Sequence, residues 1–115
     1  MLPADAEVYL GTESVDMRWS FDILCGLVRE RLDGDPRCGS LFVFVGRRGD
    51  RIKVLFYDAN GYCILYKRLD RDTFRLPDVV EPGAKRVEID PEELALLLEG
   101  LELPRKERAR RKIMH

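Results

Sequence analysis

The chain has 115 residues, of which 45% are hydrophobic and 36% are charged. This balance is typical of one soluble globular domain and excludes a disordered or membrane-spanning chain. The net charge of −1 hides an asymmetry, because residues 105–115 carry six basic and one acidic residue and leave 14 basic and 20 acidic residues in 1–104. A uniformly basic nucleic-acid-binding protein is therefore excluded, and any contact with nucleic acid must be local.

The lengths of the apolar runs and the counts of cysteine and histidine limit the cellular compartment of the protein and the chemistry that it can perform. No apolar run approaches the roughly 18 residues that span a bilayer, and the first ten residues are acidic where a secretory signal is basic. We therefore expect a cytoplasmic protein. The three cysteines lack CxxC spacing and the only histidine is His115, so we predict no disulfide framework, metal site or cofactor. Residues 1–104 are predicted to form one domain, and 105–115 a basic, flexible tail.

In chain order, the first predicted elements are a strand and a helix. EVYL at 7–10 is typical of a short strand. Ser20 is expected to cap a helix over residues 21–33, which Gly34 and the following Asp-Pro pair end. Its apolar residues recur at the spacing of one helical face, and they are Phe21, Leu24, Cys25, Val28 and Leu32.

Three runs rich in β-branched and aromatic residues follow, at 41–45, 51–58 and 62–69. The connecting RRGD and DANG segments are turn signals, and the Asn-Gly pair accepts the positive φ that tight reversals need, so we predict an antiparallel meander. A weaker strand at 85–90 precedes Asp90 and Pro91, which begin a leucine-rich helix that Gly100 ends. The predicted class is α+β, with a three-stranded meander plus one or two short strands packed against two helices.

Side-chain alternation divides the predicted hairpin into two unlike faces. A turn of two residues at the Asn-Gly pair gives a register in which paired numbers sum to 121, and one of four residues gives a sum of 119; in the first register Lys53 faces Arg68. One face is apolar apart from Lys67, and we expect it to pack against the helices. The other face combines tyrosines with cations, and its residues are Arg51, Lys53, Leu55, Tyr57, Tyr62, Ile64, Tyr66 and Arg68.

Such cations can be balanced by nucleic-acid phosphates, by acidic groups of another protein, or by the chain's own carboxylates, and the pattern leaves all three open. Tyrosine and arginine are enriched in binding surfaces and stacking platforms. The candidate partner-binding residues are Arg18, Arg47, Arg48, Arg51, Lys53, Tyr57, Tyr66, Lys67 and Arg68. The tail contributes Arg105, Lys106, Arg108, Arg110, Arg111 and Lys112, which either contact phosphates or keep the terminus soluble.

Catalytic groups are few. Because residues 1–104 contain no histidine, serine–histidine and cysteine–histidine nucleophile systems are excluded. The best carboxylate set for magnesium is Asp16, Asp50 and Asp58, but each position has a structural explanation in a turn or cap. We predict no catalytic residue and rank a metal-dependent nuclease below a binding role.

Several segments, taken in order, resemble a known family: EVYL, VDMR, GSLFVFVGRRGDRIKVLFYDANGYCILYKRLDRDTFRLP and LALLLEGLEL. They resemble the TnpB-type accessory protein of the insertion-sequence-66 family of transposable elements, over nearly residues 7–103. The residues that match the family pattern are Asp16, Met17, Arg18, Arg47, Arg48, Lys53, Asp58, Gly61, Lys67 and Arg68. Asp72 and Leu76 depart from it, since glycine and tryptophan are usual there.

The resemblance implies a non-enzymatic accessory factor for DNA transposition. Its implied partners are the cognate transposase, which holds the catalytic carboxylates, and another small protein encoded by the element. We expect it to bind the transposase, element DNA or both through the basic-aromatic face and the arginine-rich turn. The alternatives are a DNA-binding module that acts alone and, ranked lower, a metal-dependent nuclease.

Overall fold

The computed structural model describes residues 2–76 and 81–100, which form a five-stranded mixed sheet with a helix on each face. The elements are β1 (Val8–Gly11), α1 (Phe21–Glu30), β2 (Leu41–Val45), β3 (Arg51–Asp58), β4 (Gly61–Arg68), β5 (Arg86–Ile89) and α2 (Pro91–Leu98). The strand order is β4-β3-β2-β1-β5, with β1 parallel to β2 and the other neighbours antiparallel. The predicted α+β class and the β2-β3-β4 meander are confirmed.

Helix α1 ends three residues before the predicted boundary. The backbone N–H groups of Arg31 and Leu32 both bond to the Leu27 carbonyl, and Asp33 adopts a left-handed φ of 53°. Because Leu32 remains buried, its place in the apolar stripe was predicted correctly although the helix has already ended. Ser20 occupies the N-cap position, but its side chain makes no capping hydrogen bond.

Helix α2 begins and ends as predicted. Pro91 is its first residue, and the Glu93 carboxylate accepts a hydrogen bond of 2.9 Å from the Asp90 N–H, as in a capping box. Gly100 has a φ of 78° just beyond the helix, where an L side chain would be strained. Neither helix in the described part of the chain has the length and apolar character to cross a membrane.

The β3–β4 hairpin has a two-residue turn, Ala59-Asn60, and pairs Asp58 with Gly61. Its paired residue numbers sum to 119, so Arg51 faces Arg68 and Lys53 faces Tyr66. The register in which Lys53 faces Arg68 is therefore wrong. The left-handed residue of the turn is Ala59, with a φ of 51°, rather than Asn60 or Gly61.

Each face of the sheet is covered by a different helix. Helix α2 packs through Leu94 and Leu97 on the face that carries Val43 and Val54. Helix α1 packs on the opposite face, and the core there consists of Val15, Leu24, Cys25, Val28, Leu32, Phe42, Phe44 and Leu55. The expectation that both helices share the apolar face is therefore wrong, because β2 carries large side chains on both sides and needs cover on both.

The prediction of a single domain with a basic tail remains a prediction. Residues 101–115 lie outside the described residues, and these include every basic position predicted for the tail.

Candidate binding surface

A cleft of about 320 Å³ lies where the segment after β1 meets the β2–β3 turn. We call it the arginine cleft. Its polar lining comes from Asp16, Arg47, Arg48, Asp50 and Arg51, and its apolar lining from Val15, Met17 and Gly46. Two segments about 30 residues apart in the sequence thus share one site, and both were among the predicted candidate regions.

Backbone pairing brings the two segments together. Val15 forms an isolated parallel bridge with Gly46, and the Val15 N–H donates to the Val45 carbonyl at 3.0 Å. A Cβ atom on Gly46 would lie 2.7 Å from Met17 Cγ, so any larger residue would displace the Met17 side chain. Glycine at 46 therefore allows the Met17 side chain to pack against the turn and form one wall of the cleft.

The turn itself is held from its other side by the segment after β4. The Leu69 N–H donates to the Asp50 carbonyl at 2.8 Å, and the Phe74 N–H donates to the Gly49 carbonyl at 2.8 Å. Since Phe74 is buried in the core beneath α2, the turn is tied to the hydrophobic interior. The backbone that presents Arg47 and Arg48 is therefore fixed, whereas the two side chains are exposed.

Asp16 and Arg18 form a closed pair at the rim. The Arg18 Nη2 atom lies 2.7 Å from Asp16 Oδ2, Nε lies 3.1 Å from both carboxylate oxygens, and the Arg18 N–H donates to Oδ1 at 2.9 Å. These hydrogen bonds from Arg18, with a smaller contribution from the charge of Arg47, lower the pKa of Asp16 to about 2. The charge of Asp16 is thus already balanced.

Beside the cleft, a basic-aromatic row continues across the hairpin. The like-charged pair Arg51 and Arg68 are directly opposite each other, an unfavourable arrangement in the absence of a counter-charge. Arg51 Nη1 donates to the Tyr66 hydroxyl at 3.3 Å, and Tyr66 is 50% exposed. We call Arg47, Arg48, Arg51, Tyr66 and Arg68 the basic surface.

Lys53 was predicted to contact a partner, but the structure buries it. It is 7% exposed, and its Nζ atom donates to the Trp19 carbonyl at 2.7 Å and lies 4.8 Å from the centroid of the Tyr66 ring. The segment leading into α1 covers this part of the sheet. Lys53 is on the same face as Arg68, as alternation predicted, but its ammonium group is already bound within the protein.

Two other candidates lie away from the basic surface. Tyr57 is six residues along β3 from Arg51, a distance of about 20 Å. There its ring makes an edge contact with the Tyr62 ring, and the Arg37 guanidinium carbon lies 5.3 Å from the centroid of the Tyr57 ring. Lys67 points to the other face of the sheet, and its Nζ atom donates to the Leu98 carbonyl at the end of α2 at 2.5 Å. A cation there complements the helix dipole.

Comparison with known proteins assigns the chain to a family. Residues 6–108 match the family described as "IS66 Orf2 like protein". The chain belongs to this family. An uncharacterized protein from Sinorhizobium fredii, y4hO, is 41% identical over 104 residues, covering 89% of this chain and 88% of its own. A second, y4jC from the same organism, is 36% identical over 101 residues, covering 88% and 84%. No solved structure gives a significant match.

The IS66 Orf2-like family consists of accessory proteins associated with transposition, so the predicted resemblance is confirmed at the level of the family. The match spans both segments that form the arginine cleft, and five residues that were identified by the resemblance meet at or beside that cleft. These five residues are Asp16, Met17, Arg18, Arg47 and Arg48.

Sequence reasoning missed two features of the site. Asp50 was considered as a turn residue, as a magnesium ligand and as one of the chain's own carboxylates that balance the cations, but not as part of a cleft, and it lines the cleft with the arginines. Trp19, which was not a candidate, supplies the carbonyl that binds Lys53. The run LFVFV in β2 is the signal that could have indicated the second feature. An apolar run without alternation is typical of a strand covered on both faces, so it predicts that a further segment covers the face that carries Lys53.

The Asp16–Arg18 pair gives a prediction for titration of this family member. We expect the Asp16 carboxyl group to titrate near pH 2, because hydrogen bonds from Arg18 favour its ionised form. In an Arg18→Gln variant the pKa should rise toward the ordinary aspartate value. The stabilising contribution is present above the unfolded pKa and is lost as pH falls through the folded value. Carboxyl NMR titration of both proteins measures this, and equal midpoints would contradict the pairing.

Proposed function

We propose that this protein is a non-enzymatic accessory factor for DNA transposition that binds the cognate transposase, element DNA or both through the basic surface. The observation that carries the proposal is the meeting of Arg47, Arg48, Arg51 and Arg68 at one end of the sheet beside the arginine cleft. Membership of a transposition-associated family supplies the process. The other small protein encoded by the element is a further proposed partner.

The charges of this surface are available to a partner. Among residues 2–76 and 81–100, no carboxylate forms an ion pair with Arg47, Arg48 or Arg68. The Arg51–Arg68 repulsion across the hairpin would be relieved by an acidic or phosphate group bound over both. An anionic partner therefore gains from several unpaired guanidinium groups at once, and arginine suits both carboxylates and phosphates.

The geometry gives less support to the metal-dependent nuclease. The carboxylates considered for magnesium were Asp16, Asp50 and Asp58. Asp58 is at the far end of β3, eight residues from Asp50, and an extended strand of that length separates them by about 26 Å. Asp16 is bound by Arg18. The three carboxylates therefore do not meet in one site, and a binding role explains the cleft better.

A transposition assay tests the proposal. A marked element is supplied with its transposase and with either the wild-type protein or an Arg48→Glu/Arg68→Glu variant. We expect the variant to abolish transposition, because two contacts with an anionic partner become repulsive. The matched control is Arg29→Glu/Arg75→Glu, which makes the same charge change at two exposed arginines outside the basic surface.

The assay requires that both variants remain folded, which circular dichroism and thermal unfolding establish. Loss of transposition in the control as well would show that only net charge matters. A folded Arg48→Glu/Arg68→Glu variant that supports normal transposition would refute the proposed role of the surface.

A further inference from the structure

The arginine cleft contains polar atoms that have no partner within the described residues. Arg51 Nε and Asp50 Oδ1 are both buried and make no hydrogen bond there. Buried polar groups are nearly always hydrogen-bonded, so the unpaired Arg51 Nε–H gains an acceptor if the side chain turns toward a ligand in the cleft, whereas Asp50 Oδ1 needs a donor that an anion does not supply. These two residues lie side by side in the wall of the cleft.

The balance of charge decides which ligand fits. The charge of Asp16 is neutralised by Arg18 through a bidentate ion pair. The remaining charged groups of the lining are the cations Arg47, Arg48 and Arg51 and the anion Asp50, so the cleft carries an excess of positive charge. The excess increases at its edge, where Arg68 lies across the hairpin from Arg51. An anionic ligand is favoured over a cationic one.

The preformed shape of the cleft makes it suitable for binding. Its walls are fixed by the Val15–Gly46 bridge on one side and by the hydrogen bonds of Leu69 and Phe74 to the turn on the other. A fixed backbone reduces the conformational entropy lost on binding. Its volume of about 320 Å³ falls at the lower end of small-ligand pockets and suits a phosphate group with part of its sugar.

We propose that the arginine cleft binds backbone phosphates of DNA. This deepens the proposed function, on which it rests, by assigning a ligand to one part of the basic surface. Guanidinium groups bind phosphate oxygens with two parallel hydrogen bonds. Tyr66, half exposed and bonded to Arg51 beside the cleft, favours nucleic acid over an acidic protein segment, because a tyrosine ring next to phosphate-binding cations offers a base a stacking surface.

Asp50 makes the proposal sharply testable, because its carboxylate opposes an anion in the cleft. Fluorescence anisotropy with a short labelled DNA duplex measures the affinity of the full-length protein over a range of salt concentrations. For Arg47→Gln/Arg48→Gln we expect weaker binding and a salt slope smaller by about 2, or about 1 for each phosphate contact removed. For Asp50→Asn we expect tighter binding.

The matched control is Arg29→Gln/Arg75→Gln, which removes the same charge outside the cleft and should leave the salt slope unchanged. The basic tail is present in every protein, so its contribution is common to all. A single-stranded probe of the same sequence tests base stacking on the tyrosine ring. We expect Tyr66→Ala to lower the affinity for the single-stranded probe more than the affinity for the duplex.

Two results would overturn the proposal. One is an affinity and salt slope of Arg47→Gln/Arg48→Gln equal to those of the control, and the other is weaker DNA binding by Asp50→Asn. Lost capture of purified transposase by the double variant, with DNA binding intact, would assign the cleft to an acidic protein segment instead. The transposition assay is read separately, so the DNA assignment can fail while the proposed accessory function stands.

Discussion

A Phe42→Ala variant is expected to lose about 3–5 kcal/mol of its free energy of unfolding. Phe42 lies in the central strand β2, is 1% exposed, and stacks on the Tyr9 ring with 5.8 Å between the centroids. Truncation leaves a cavity beneath α1, and the strand pairing on both sides of β2 limits relaxation around it. Since a domain is stable by about 5–15 kcal/mol, the loss is a large part of the total.

Phe21→Ala is the matched control, because it removes the same side chain from a position that is 43% exposed. We expect it to change stability by no more than about 0.5 kcal/mol. Urea unfolding followed by circular dichroism measures both variants. If Phe42→Ala were as stable as Phe21→Ala, α1 would not cover this face of the sheet.

The positions of the elements could be predicted from sequence because their signals are local. Period-two alternation in 51–58 and the Asn-Gly-containing turn predicted the hairpin, and Asp90 followed by Pro91 predicted the start of α2. The hairpin faces followed from the same alternation. Local signals also explain the errors in detail, since the end of α1 and the residue with positive φ in the turn depend on backbone geometry that several sequences can adopt.

The arrangement of the layers required a signal from a neighbouring strand. Alternation in β3 and β4 indicates one apolar face and one mixed face, which by itself favours placing both helices on the apolar side. The uninterrupted run Leu41–Val45 contradicts this, because every residue of β2 is buried. Phe42 and Phe44 extend to one face while Val43 extends to the other. A strand buried on both sides requires one helix on each face.

The candidate site was predicted residue by residue but not as a site. Arg47, Arg48 and Arg51 were candidates because of the turn and the strand, and Arg18 because it matches the family pattern. The meeting of Arg47, Arg48 and Arg51 with the segment that carries Asp16 and Arg18 depends on the pairing of Val15 with Gly46, a long-range contact that no periodicity or turn motif reveals. The burial of Lys53 has the same origin, since it depends on where the Trp19 backbone crosses the sheet.

Replacing Lys53 with glutamate is expected to destabilise the protein by about 3–5 kcal/mol, the cost of leaving a buried charge uncompensated. The Lys53 ammonium group faces the Trp19 carbonyl oxygen and the face of the Tyr66 ring. Both are centres of negative charge density, so a carboxylate would be repelled by both while remaining desolvated. Lys53→Met should cost less, about 1–3 kcal/mol, because it leaves only the Trp19 carbonyl without its donor.

Arg68→Glu is the matched control, since it makes the same charge reversal on the same face of the sheet at an exposed position. We expect a change of no more than about 1 kcal/mol, in the stabilising direction, because a carboxylate at position 68 would attract the facing Arg51 guanidinium, which the native arginine repels. Urea unfolding of the three variants gives the order Arg68→Glu, Lys53→Met, Lys53→Glu from most to least stable. A Lys53→Glu protein as stable as wild type would show that this side chain is free for a partner. With the expected order, lost transposition in any variant that contains Lys53→Glu reports unfolding. Lys53 is therefore unsuitable for testing the surface by charge reversal, whereas the exposed Arg47, Arg48 and Arg68 are suitable.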